Sequence, residues 1–342
     1  MNKPTSSISA PTDIFPMGNK KGYFCASIKM KRNFLIILLF IIVFDIVAEA
    51  QRGRKNFSGN RRNRYRYEYV FGFGVTNFLG DLGGLNKIGT DYSPVDLEFT
   101  LTRPAAMFGW RYRLGEFYAV RGTFAWGIAR GDDKLTKEFF RNNRNLSFKS
   151  NLFELSAQFE GFIMKSQGGH RYKIKGAKGF KAKDIQGYGF VGIGAVLFNP
   201  KAKYLNGRYY PLQPLGTEGQ GLVSGTKKYS RVTVAIPVGI GGKYAIDRYW
   251  SIGFETGWRK TFTDYMDDVS TTYHTQTLIA NGATPQAIYF ADPTQGQGLG
   301  PSPSSVAEGE QRGDPKQNDS YLFFNITAAY KVIYKKRTRS KF

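Results

Sequence analysis

From Arg231 to Arg259 the chain alternates between two kinds of residue with a period of two, and this pattern constrains the fold more than any other feature. Val232, Val234, Ile236, Val238, Ile240 and Tyr244 share one parity, while Thr233, Ala235, Pro237, Gly239, Gly241 and Lys243 share the other. After the turn Ile246 to Tyr249 the apolar parity resumes at Trp250, Ile252, Phe254 and Trp258, opposite Ser251, Gly253, Glu255, Gly257 and Arg259. A helix would repeat about every 3.6 residues, so this is a strand hairpin whose two faces meet different surroundings. A soluble sandwich would use the apolar face as its core. Here the second face is small residues punctuated by charge, and Tyr244, Tyr249, Trp250 and Trp258 gather near the strand ends. Apolar outside, small and charged inside, with aromatic girdles, is the pattern of an outer-membrane barrel.

The same alternation recurs along the chain. Tyr67, Tyr69, Phe71, Phe73 and Val75 oppose Glu68, Gly72, Gly74 and Thr76. Ala106, Phe108, Trp110 and Tyr112 form a second run, and Tyr118, Val120, Phe124, Trp126 and Ile128 a third, with Arg111, Arg113 and Arg121 on their opposite faces. Phe153, Leu155, Ala157, Phe159 and Ile163 oppose Glu154, Ser156, Gln158 and Glu160. Gly187 to Phe198 is apolar on both faces, so its orientation stays open. The hairpin supplies the sixth and seventh runs. Leu322, Phe324, Ile326, Ala328, Tyr330 and Val332, opposing Asn325, Thr327 and Lys331, close the series. The expectation is an all-β, antiparallel eight-stranded outer-membrane β-barrel over 67–334, narrow enough for side chains to fill. Glu68, Glu154, Glu160 and Glu255 on the inward faces are expected to pair with Arg111, Arg121, Lys243 and Arg259, since a buried charge needs a partner. The lumen then reads as a plugged ion-pair network rather than a conduit.

An even strand number places both chain ends on the periplasmic side. The connections at about 79–103, 130–146, 199–228 and 260–319 then face outward, as long loops, and those after strands two and six are tight turns.

Upstream of the barrel, the apolar run Phe34 to Phe44 follows Lys29, Lys31 and Arg32 and precedes Ala48-Glu49-Ala50. Its eleven residues are too few to span a bilayer. The segment 30–50 therefore reads as a signal peptide cleaved after Ala50, with an uncleaved anchor as the rival, and 1–29 as a non-native or unstructured extension. Cys25, the only cysteine, lies before that cleavage site. No disulfide is expected in the mature chain.

Charge is distributed unevenly. The arm 51–66 carries seven basic residues, Arg61 and Arg62 among them, and no acid. The connection Lys165 to Lys183 carries seven more, including Arg171, Lys173, Lys175, Lys178, Lys181 and Lys183, again with no acid. The stretch from Lys331 adds six, Lys335 and Lys336 among them, mostly in the tail 335–342. In the topology above all three lie on the periplasmic side, and they form a basic face suited to an acidic protein, peptidoglycan or anionic head groups. A secretion signal and a barrel argue against nucleic acid despite the pI near 9.9.

Several constellations invite chemistry. His274 near Asp264, Asp267 and Asp268 suggests an omptin-like surface protease, but a solvated acidic loop explains the same residues. Asp267 and Asp268 as a calcium pair are weak evidence. Arg312-Gly313-Asp314 is an adhesion-like tripeptide with chance as the better explanation, and no metal, cofactor or catalytic residue is expected.

The motifs NFLGDLGG (Asn77 to Gly84), RNNRNLSF (Arg141 to Phe148), FNPKAKY (Phe198 to Tyr204), PLQPLGTEGQG (Pro211 to Gly221), KTFTDYMDDVSTTY (Lys260 to Tyr273) and QRGDP (Gln311 to Pro315) resemble the PorG-like outer-membrane proteins of Bacteroidetes. The resemblance covers roughly 67–334. It implies a non-enzymatic barrel of the type IX secretion and gliding machinery, attached to a periplasmic ring of proteins resembling PorK and PorN. The N-terminal extension and the basic tail after Val332 depart from the family pattern. A small passive channel or uptake pore is the alternative.

Overall fold

The computed structural model describes residues 66–82, 99–135, 142, 144–163, 185–223, 226–247, 249–293 and 308–332. Nine strands follow in order: β1 (Tyr67–Leu79), β2 (Arg103–Arg113), β3 (Tyr118–Asp132), β4 (Ser147–Phe162), β5 (Ile185–Lys203), β6 (Tyr209–Pro211), β7 (Val232–Ala245), β8 (Trp250–Thr261) and β9 (Ser320–Val332). Each long strand pairs antiparallel with its two neighbours, in the cyclic order β4-β3-β2-β1-β9-β8-β7-β5, and β4 pairs with β5 to close the ring. The short β6 folds back on the end of β5. The result is a closed eight-stranded membrane β-barrel with no free edge among those eight strands.

The alternation produces this because one parity faces the lumen and the other faces lipid. Phe73, Leu155, Ile193, Ile240, Phe254 and Ile326 stand 60% or more exposed on the outside, which a soluble protein would not tolerate as a continuous belt. At the end carrying the tight turns the outer surface is rimmed by rings in contact. Tyr67 stacks on Trp110 at 5.9 Å, Tyr118 on Phe159 at 5.7 Å, and Trp250 meets Tyr330 at 5.0 Å. Such rings suit an interface that is apolar on one side and wet on the other. No helix among the described residues is long and apolar enough to cross a membrane.

Tyr67 pairs with Val332, placing the beginning of β1 and the end of β9 at the same rim as the turns 114–117 and 246–249. The opposite rim carries the connections after β1, β3, β5 and β8, while β4 and β5 join at the first rim; the two are called the loop end and the turn end below. The strands reach further toward the loop end than the alternation indicates. β3 continues to Asp132 and β5 to Lys203, so the connections expected at 130–146 and 199–228 are shorter, and the second contains β6. Two short helices, α1 (Thr275–Ala280) and α2 (Pro285–Ala291), lie in the last long connection. α2 begins where Thr284 accepts a hydrogen bond from the Ala287 amide at 3.3 Å, with Pro285 at its first position.

β5, ambiguous in sequence, turns Tyr188, Phe190, Val196 and Phe198 inward and Val191, Ile193 and Leu197 toward lipid. The reason lies on its neighbour. A Cβ on Gly241 or Gly239 of β7 would collide with the rings of Tyr188 and Phe190, so the small inward face of β7 is the space those rings occupy.

Candidate functional site

Inside the barrel the inward charges meet across the lumen. Arg121 of β3 reaches the diametrically opposite β8, where Glu255 receives it at 2.6 and 2.8 Å. Arg111 of β2 donates to Glu68 at 2.9 Å and clasps Glu160 of β4 with two nitrogens. Lys243 of β7 donates to both oxygens of Glu68, at 2.8 and 2.9 Å. Arg259 of β8 reaches Glu154 of β4 at 3.3 Å. All eight of these side chains are buried.

Several further partners complete the network. Gln158 accepts two hydrogen bonds from Arg121, and the Tyr188 and Tyr321 hydroxyls donate to Glu255 and Glu154 at 2.8 and 2.9 Å. The guanidinium of Arg121 lies 5.3 Å from the Phe190 ring centre and that of Arg259 4.6 Å from Phe323. Aromatic faces thus fill space around the cations while stabilising them.

The balance of charge differs from the expectation. Arg113 and Lys331 also lie within the barrel wall near the turn end, so six inward cations face four carboxylates among the described residues. Arg113 approaches Glu68 only to 3.8 Å and otherwise donates to Gln186. Lys331, counted from sequence with the basic tail, is 6% exposed inside β9. Arg66, counted with the basic arm, is half-buried and donates to the Tyr112 hydroxyl at 2.8 Å. The other residues of the proposed basic face, Arg61, Arg62, Arg171, Lys173, Lys175, Lys178, Lys181, Lys183, Lys335 and Lys336, lie outside the described residues, as do His170 and the segment 30–50.

The loop end is closed by a cap in which all six sequence motifs converge. Glu218 of PLQPLGTEGQG accepts from the amides of Ser270 and Thr271 and from Arg312 of QRGDP at 2.8 Å. Arg312 also donates to the Asp268 and Phe290 carbonyls. Arg144 of RNNRNLSF binds Asp133 at 2.7 Å and the carbonyls of Arg312 and Asp81. The Leu82 amide of NFLGDLGG donates to Asp267 at 3.0 Å. Tyr204 of FNPKAKY packs edge-on against Tyr289 and Phe290. Arg312 is therefore a buried tie rather than an exposed adhesion residue. Its neighbour is glycine because a side chain at Gly313 would strike Asp81 and the Ser270 backbone.

Asp267 and Asp268 diverge. Asp268, in the left-handed region at φ 69°, accepts from Thr217 and Tyr229, and burial pushes its carboxyl up to about 6. Asp267 instead joins Asp81, Asp264 and Asp319. Burial, then mutual repulsion, raises Asp267 and Asp319 well above the ordinary carboxylate range. Asp264 is pushed up to about 9, chiefly by burial; neither of its oxygens accepts a hydrogen bond of normal geometry, although the Ser270 hydroxyl moderates its charge. His274 meets Glu308 at 3.3 Å and Thr272 at 3.1 Å rather than any of the three aspartates. Among the described residues no group of three or more His, Cys, Asp or Glu is placed to hold a metal ion.

No protein-family model and no curated protein matches the chain. Among solved structures it is similar to the attachment invasion locus protein Ail of Yersinia pestis, determined with the heparin analogue sucrose octasulfate, at 9% identity and TM-score 0.34 over 78% of this chain and 99% of that one. Neisserial surface protein A matches at 9% and 0.34 over 78% and 96%, and OprG of Pseudomonas aeruginosa at 9% and 0.36 over 79% and 98%. The barrel assignment itself rests on the closed strand register.

Proposed function

We propose that this outer-membrane barrel is a non-enzymatic anchor that holds a periplasmic ring complex of the type IX secretion or gliding machinery, as its resemblance to PorG-like proteins implies. The turn end, with both chain ends, faces the periplasm in this reading, and the partner resembles PorK and PorN. The carrying observation is the filled and capped barrel with its surplus of cations at the turn end. Side chains cross the lumen at several heights, so the molecule offers two faces and a wall of lipid-facing residues rather than a path. In sequence, the basic segments 51–66, 165–183 and 335–342 adjoin strands whose ends lie at that rim. They favour an acidic partner.

The test replaces Arg171, Lys173, Lys175, Lys178, Lys181 and Lys183 with Gln in the full-length chain and follows co-purification from detergent-solubilised outer membrane. Heat-modifiable folding should persist while the periplasmic partner is released, and the wild-type complex should weaken as salt rises. Association indifferent to both would overturn the electrostatic anchor, and release of peptidoglycan alone would redirect it. Steady conductance of the loop-intact barrel in a planar bilayer would favour the pore instead.

A further inference from the structure

On the outside of the barrel, at the loop end, three cations stand side by side on three neighbouring strands. Arg130 of β3 is the register partner of Lys149 of β4, and Lys149 is the register partner of Lys201 of β5. Lys203, two residues further along β5 on the same face, pairs with Tyr209 of β6. Directly opposed side chains on paired strands sit about 4.5–5.5 Å apart at Cβ, and like charges there repel. Asp132 relieves only Arg130, at 3.2 Å. Among the described residues no carboxylate lies within ion-pairing distance of Lys149, Lys201 or Lys203. Lys149 instead points its ammonium at the Tyr209 ring, 5.9 Å from the centre. The cluster lines an open cleft of about 220 Å³ whose wall also includes Asp132, Lys134, Tyr209 and Tyr289, so cations outnumber the one carboxylate among its described lining residues.

Height along the strands narrows the choice of ligand. On the same outward parity, the lipid-facing belt ends at Ile128, Phe153 and Leu197, two residues from Arg130 and four from Lys149 and Lys201. At about 3.3 Å per residue and a tilt of about 40°, the cations stand about 5–10 Å beyond the belt, at the level of polar head groups. We propose that this row binds the phosphates of a phosphorylated glycolipid in the adjoining leaflet. Single exposed lysines bind a free anion weakly and are screened by salt. Phosphates held in a plane by their own acyl chains present several charges at once, and linkage multiplies weak contacts. This source, rather than dissolved phosphate, matches a row facing sideways from the barrel. The leaflet is the outer one if the loop end faces outward, which is the sidedness adopted for the anchor.

The experiment reconstitutes the full chain in nanodiscs of phosphatidylcholine containing either monophosphorylated or enzymatically dephosphorylated lipid A, and reads retained lipid by native mass spectrometry after detergent extraction. Wild-type barrel should retain the phosphorylated form at least about tenfold over the dephosphorylated one, with the preference falling about three-fold or more as salt rises from about 0.1 to about 0.5 M. Arg130→Gln, Lys149→Gln, Lys201→Gln and Lys203→Gln together should abolish the preference while heat-modifiable migration persists. Equal retention of the two lipids by wild type overturns the proposal without reference to any variant. Displacement by inorganic phosphate at about millimolar concentration overturns the lipid source. Separately, Asn206→Cys in the neighbouring loop should react with an impermeant maleimide in intact cells. Failure of that labelling removes the sidedness of the anchor, while the lipid preference stands or falls on the nanodisc result.

Discussion

The lumen and the aspartate cluster of the cap both bury carboxylates, but they satisfy them by different means. In the lumen each of Glu68, Glu154, Glu160 and Glu255 meets at least one cation projected from another strand. In the cap, Asp81, Asp267 and Asp319 are held by backbone amides of Asp314, Leu82, Val269 and Met266 and repel one another. Walls that face each other across a narrow barrel can project long cations at one height from rigid strands. Loop backbone turning over the rim presents N–H groups instead, and these stabilise a carboxylate without cancelling its charge. Burial and repulsion within the aspartate cluster therefore make the cap sensitive to pH.

The largest break in this contrast comes from removing a lumenal cation. Arg121→Ala leaves Glu255 and Glu160 buried with one partner fewer each, and breaking a buried pair costs about 3–5 kcal/mol. The heat-modifiable transition should fall sharply, and a partial recovery with Glu255→Gln should appear in the double variant. Arg312→Ala comes next. It strips Glu218 of its charged donor and should cost about 1.5–3 kcal/mol, confined to the cap. Limited proteolysis should then cleave the segment 260–319 while the strands stay protected; a fall in barrel stability of the same size would dissolve the distinction between the two regions.

A pH series separates the two regions next. Asp264 has a folded-state value of about 9 against an ordinary value of 3.8, so the folded cap holds a proton that the unfolded chain gives up. Its favourable contribution is complete below the ordinary value and is lost as pH rises toward 9, and the raised Asp267 and Asp319 act in the same direction. Amide exchange in 264–270 should accelerate from pH 5 to pH 9 beyond the intrinsic rate, with no matching change in β3 or β8. Asp264→Asn should flatten part of that slope and stabilise the cap at pH 8 by about 1 kcal/mol. The smallest effect is expected from Tyr188→Phe, which removes one hydroxyl donor to Glu255 while Arg121 remains, at about 1 kcal/mol or less and with folding intact.

Inward and outward faces were legible in seven of the eight long strands, because alternation is a local property that needs no knowledge of the neighbours. β5 was not, since an apolar residue is tolerated on either face and only the glycines of β7 make room for Tyr188 and Phe190. Arg113 shows another limit. Its parity placed it inward, yet nothing local says that it lies near the rim with Glu68 only at 3.8 Å. The six motifs gave no hint of their common purpose, and neither Arg312 in an adhesion-like tripeptide nor adjacent Asp267 and Asp268 behaves as its sequence neighbours suggest.

By itself the sequence determined the strand count, the parity of most side chains and the presence of opposite charges within the lumen, since all three follow from a period of two. The partner of each charge was decided by tertiary structure alone. Arg121 and Glu255 are 134 positions apart, and Glu218 and Arg312 are 94. Such pairs meet only after the ring closes with a particular stagger between strands and the loops fold over its rim, and that relation is carried by the whole set of backbone hydrogen bonds rather than by any stretch of residues.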